Sequence, residues 1–130
     1  MKTKKVNKVE TMYSKFMNKE FNQSVLVFFN RFPSIESIHQ LEDLLQNKLD
    51  KEKLGFCDGH EINCDLSDGI LFLYGPDAEL LYKGIKPILK KISFMKDAKV
   101  RLHFGAPEKG VKQIVVDLDD NVFENPFGNN

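Results

Sequence analysis

Tryptophan is missing from this 130-residue chain, cysteine occurs only twice, and the formal net charge is zero. The aromatic complement is 11 Phe and 3 Tyr, which suits core packing better than a platform for sugars or bases, where Trp is favoured. The longest apolar runs, VLVFF and ILFLY, have the length of a strand. No stretch after MKTKKVNKVE reaches signal-peptide or membrane-span length. These absences point to a cytoplasmic location, with Cys57 and Cys64 as reduced thiols and no disulfide framework. A neutral chain lacks the basic stripe of a dedicated nucleic-acid binder.

The chain that remains is one domain's worth, with 42% hydrophobic and 29% charged residues, enough to bury a core unaided. Its charge is polarised. Residues 1–20 carry six Lys against two Glu, whereas after Lys112 come only Asp117, Asp119, Asp120 and Glu124. Two solvated ends are the simplest meaning of that pattern.

Hydrophobic spacing predicts the elements. Val6, Val9, Met12, Tyr13, Phe16 and Met17 fit an amphipathic helix over residues 6–20. SVLVFF, 24–29, reads as a strand apolar on both faces. Ser34 caps a helix whose stripe is Ile35, Ile38, Leu41, Leu44 or Leu45, and Leu49, with Glu36, Glu42, Asp43 and Lys48 off it. Gly55 is the expected stop. FCDGHEINCDL forms a strand with a bulge expected at Asp58-Gly59, and LSDG before ILFLY reads as a hairpin turn with Gly69 at positive φ. Asp77 caps the next helix along Leu81, Ile85, Ile88 or Leu89, and Ile92, with a kink expected at Pro87. KVRLHF alternates, with Val100, Leu102 and Phe104 inward and Lys99, Arg101 and His103 outward. VKQIVVDL, 111–118, is the last strand.

The order β-α-β-β-α-β defines an α+β class, the split βαβ of ferredoxin-like antiparallel sheets, with an extra C-terminal strand and an N-terminal amphipathic helix. Segments 1–21, 22–118 and 119–130 are accordingly a basic helix, the domain and an acidic irregular tail. The two strands apolar on both faces fall at the two central positions of such a sheet. Its open face then needs a cover, from the N-terminal helix or from a second copy packed sheet to sheet as a homodimer.

Both cysteines lie in GFCDGHEINCDLSDG, 55–69. A metal site on Cys57, His60 and Cys64, with Asp58 or Asp65 as a further ligand, lacks the paired Cys-x₂₋₄-Cys spacing that brings two thiolates to one ion; a regular strand puts Cys57 opposite to His60 and Cys64, although a bulge at Asp58-Gly59 would change that phase. A redox dithiol lacks both its spacing and its helix start. Asp58, His60 and Glu61 have residue types suited to proton transfer, but no nucleophile or oxyanion cradle accompanies them. His39 and His103 read as surface histidines. The edge reading gives Asp58, Glu61, Asp65 and Asp68 an acidic rim, either a guard against strand pairing or a surface for a basic protein. Gly75-Pro76-Asp77 is a turn and cap in preference to an anion site, since Pro76 has no N–H and Asp77 repels anions. Phe28, Phe72 and Tyr74 could stack bases as RNA-recognition modules do, but the motif of such modules is absent.

GFCDGHEI, LFLYGPDAELLYKGIKPIL and KVRLHFGAPEKGVKQ together resemble a group of small bacterial proteins. That group pairs a D-G-x-E strand with an L-F-x-Y-G-P-D-A turn and helix, over about residues 22–118 here. No activity is established for the group, so the resemblance implies the fold, a bacterial cytosolic setting, and positions 57 and 64 not fixed as cysteine. The expected function is protein binding without catalysis, as a regulator or a toxin-neutralising immunity-type partner, with no catalytic residues and no cofactor. The alternatives are a small-molecule sensor or enzyme with a pocket between the open sheet face and the N-terminal helix, and an RNA-recognition-like binder.

Overall fold

A computed structural model describes residues 2–4, 22–105 and 111–119. The strands are β1 (Lys2–Lys4), β2 (Gln23–Phe29), β3 (Phe56–Asn63), β4 (Gly69–Gly75), β5 (Lys99–His103) and β6 (Gln113–Asp117). The helices are α1 (Ile35–Glu52) and α2 (Ala78–Leu89). All six described strands join one sheet in the order β1-β3-β4-β2-β5-β6, antiparallel at every contact.

Alternation along the central strands decides which face is the core. Val25, Val27 and Phe29 of β2 and Leu71 and Leu73 of β4 are buried with Val100 and Leu102 of β5. They pack against Ile38, Leu41, Leu45 and Leu49 of α1 and Leu81, Tyr82, Ile85 and Leu89 of α2 in one cluster. Both helices thus cover one face. The alternate residues Leu26, Phe28, Ile70, Phe72 and Tyr74 point the other way and are half-buried, while Phe56, beside Tyr74, is fully buried. The helix expected over 6–20, and its role as a cover, lie outside the described residues, as does the tail from 120.

The helix starts follow the expected capping chemistry. Ser34 accepts from the N–H of Ser37 at 3.1 Å, and Asp77 accepts from the N–H of Leu80 at 3.0 Å; each satisfies a donor the first turn leaves open. The N–H of Ala78 donates to Gln23 Oε1 at 2.8 Å, tying the start of α2 to β2. Pro87 lies in the last turn of α2, and Ile92 opens a short 3₁₀ turn, Ser93–Met95, beyond the helix.

Several local expectations are corrected. The left-handed residue that ends α1 is Lys53 (φ 56°, ψ 45°), whose N–H reaches Leu49 O. Gly55 (φ +143°) is needed for close approach instead, since a Cβ there would lie 2.0 Å from Tyr74 O. In the β3–β4 turn the left-handed residue is Leu66 (φ 65°), not Gly69; Gly69 leaves room for Phe29 and Ile62. Glu42, placed off the buried stripe by periodicity, is buried against β3. Lys2–Lys4, expected inside a helical segment, forms β1 and pairs with Glu61–Asn63, so β3 is not the edge strand along those residues.

Candidate functional site

Two groupings of polar residues stand out, one inside the domain and one at an end of the sheet. The first depends on a miscount in β3. Cys57 lies opposite Leu73 and Gly59 opposite Phe72, so the register slips by one residue at Asp58, as a bulge does. The slip changes the phase of the strand. Cys57 and His60 both oppose residues that face the helices, Leu73 and Leu71, whereas a regular strand would have put them on opposite faces. His60 therefore meets α1.

There the Nδ1–H of His60 donates to Glu42 Oε2 at 2.8 Å, and each side chain is only 4% exposed. His39, one turn before Glu42, lies beside His60 with ring centroids 5.7 Å apart and planes tilted by 41°. One donor atom from each of His39, Glu42 and His60 falls within 4.8 Å of the others. The neighbouring position on α1 is also tied to β3, since Gln46 Oε1 accepts from the Cys57 N–H at 2.9 Å.

The trio Cys57, His60 and Cys64 is not assembled. Cys57 lies in the core and Cys64 is exposed in the turn after β3. Periodicity concealed this grouping because Glu42 and His39 both lie off the apolar stripe of α1 and read as surface residues. A usable signal was present in the His-x-x-Glu spacing, which puts both side chains on one helix face.

The acidic residues are scattered as well. Asp58 is buried at the bulge, and Glu61 is half-buried opposite Lys4 of β1. Asp65 and Asp68 are exposed at the hairpin, where Asp65 accepts from the Ser67 N–H at 3.0 Å and Asp68 accepts from Asn63. Hydrogen bonds from the Ser67 hydroxyl and N–H hold the Asp65 carboxyl below the usual carboxylate range.

Asp68 opens onto a cleft of about 350 Å³ floored by Phe28, Phe29 and Ile70 and rimmed by Asn30, Asp68, Asp97 and Lys99. The same end of the sheet continues past Lys96 and Ala98 to Asp117 and Asp119, with Lys99 paired to Asp117 at 2.6 Å.

On the open face, Phe28, Phe72 and Tyr74 are half-buried, and the Arg101 guanidinium lies over the Phe28 ring at 5.2 Å. His103, expected at the surface, is half-buried, and burial followed by the charge of Arg101 pushes its pKa below the usual histidine value. The pocket expected between this face and the N-terminal helix lies outside the described residues. Among the described residues no helix is long and apolar enough to cross a membrane. No protein-family model, curated protein or solved structure matches the chain.

Proposed function

We propose that this chain is a ferredoxin-like α+β domain that acts by binding a basic protein at the acid-rimmed end of its sheet. The fold reading is supported by the order β3-β4-β2-β5, with α1 joining β2 to β3 and α2 joining β4 to β5. The observation that carries the binding reading is the cleft below the hairpin. Its volume is at the low end of the range typical of ligand pockets. Phe28 and Ile70 supply an apolar floor, and Asp68 and Asp97 supply charge at its mouth. The cleft and its continuation along this end are lined by Asp68, Asp97, Asp117 and Asp119 against Lys96 and Lys99. An apolar slot with a negative mouth suits the aliphatic stem and charged head of a partner's Lys or Arg. Asp58 is buried at the bulge and takes no part, and Glu61, at the hairpin end of β3 opposite Ile70, does not line the cleft.

The test is capture from the native host with the full chain and with an Asp65→Lys/Asp68→Lys/Asp97→Lys variant. A stoichiometric basic protein is expected on the first and not on the second, and raised salt should weaken its retention. Capture that ignores both charge reversal and salt would overturn the reading. So would a chain that retains no protein but is thermally stabilised by a small metabolite.

A further inference from the structure

We propose that His39, Glu42 and His60 form a binding site for a divalent first-row transition ion, with zinc as the reference metal. The inference is independent of the protein-binding reading, because the site lies between α1 and β3 and shares no residue with the acidic cleft. Three observations carry it. Two imidazoles and one carboxylate offer donor atoms that all lie within 4.8 Å of one another. Glu42 and His60 are buried together, with side chains 4% exposed, so a carboxylate and an imidazole already stand side by side away from bulk water. The His39 side chain makes no hydrogen bond among the described residues, and its half-buried ring leaves a donor uncommitted beside that pair.

The donor set selects the class of ion. Imidazole nitrogen with one carboxylate suits zinc, iron, cobalt or nickel, whereas calcium and magnesium favour all-oxygen shells. Zinc bonds of about 2.0–2.2 Å to nitrogen and oxygen imply donor separations of roughly 3.3 Å in a tetrahedron. The 2.8 Å contact between His60 Nδ1 and Glu42 Oε2 must therefore open by about half an ångström, and His39 must swing inward by a side-chain rotation. In this arrangement the ion takes the place of the proton between Glu42 and His60, and the neutral imidazole carries its single proton on Nε2 in place of Nδ1. Three protein donors leave a fourth position for water or a ligand arriving past His39, as in open zinc sites. Positioning comes from rigid elements. His39 and Glu42 are one turn apart in the first half of an 18-residue helix, and the bulge at Asp58 turns His60 toward them.

Calorimetric titration of the full, untagged chain with zinc is expected to show one ion per chain. Cobalt in its place should give the intense visible bands of a four-coordinate nitrogen- and oxygen-bound ion. His39→Ala is the decisive variant, because the His39 side chain makes no hydrogen bond among the described residues and Ala keeps the helical backbone. It should weaken zinc at least about tenfold while leaving the metal-free circular dichroism and melting temperature unchanged. A Cys57→Ser/Cys64→Ser variant should bind as the parent does. The proposal is overturned if neither zinc nor cobalt binds, if binding survives His39→Ala undiminished, or if it is lost with the cysteines.

Discussion

Between Cys57 and Gly59 the ladder of β3 against β4 slips by one residue, and that slip decides which side chains face α1. The Asp-Gly pair announced a bulge and with it a change of phase, but not which side chains of α1 the shifted residues would meet. The slip brings His60 to Glu42 and sends Asp58 into the interior. Glu42 shows the same limit from the helix side, because a charged residue flanking an apolar stripe is assigned to solvent until the opposite strand supplies a donor. His103 carries a prediction of its own. Burial and Arg101 depress its pKa in the folded chain, and its neighbours across the ladder, Ser24 and Gln113, are uncharged. The unfolded chain protonates this residue near the ordinary histidine value of 6.5, while the folded chain resists. Proton uptake therefore favours unfolding as pH drops below about 6.5. Stability should fall from there toward the depressed pKa and level off beneath it. Urea midpoints at pH 7.5 and 5.5 should differ less in His103→Gln than in the parent, and equal differences would show that His103 is not a source of acid sensitivity.

At the scale of elements, capping residues and apolar stripes were the readable part. Ser34 and Asp77 cap as their side-chain chemistry dictates, and Leu81, Ile85 and Leu89 form the buried stripe of α2. The glycines were located correctly but their purposes were not, because a sequence does not reveal what a missing Cβ would touch. Gly55 and Gly69 now make opposite demands on their surroundings. At Gly55 an added Cβ meets fixed backbone, 2.0 Å from Tyr74 O, at a φ of +143° that L-residues rarely adopt. At Gly69 it meets side chains, the Phe29 ring at 2.6 Å and Ile62 Cγ2 at 2.7 Å, which can shift at a cost typical of overpacking. Gly69→Ala should therefore lower unfolding stability by about 1–3 kcal/mol, and Gly55→Ala by more than about 3 kcal/mol, since strain and a backbone clash add. Denaturant titrations of the two variants would reverse this account if Gly69→Ala proved the more damaging.

For the molecule as a whole, sheet order was within reach of sequence reasoning because VLVFF and ILFLY are apolar on both faces and occupy adjacent interior positions, β2 and β4. β1 was not, because Lys2–Lys4 has no apolar alternation and joins the sheet through backbone pairing with β3 alone. That pairing changes the character of the whole sheet. Without β1, the N–H and C=O groups of β3 along Glu61–Asn63 would be offered to any other strand, and the half-buried apolar residues Ile70 and Phe72 sit on the neighbouring strand. A short strand in that place satisfies the ladder through its backbone, a device that suppresses edge-to-edge association. Removing residues 1–4 should therefore make the chain self-associate. Sedimentation velocity over a range of concentrations is expected to show a steeper rise in sedimentation coefficient for the shortened chain than for the full one. Superimposable profiles would mean that β3 is guarded by its own acidic residues, and that β1 adds backbone hydrogen bonds without protecting the edge.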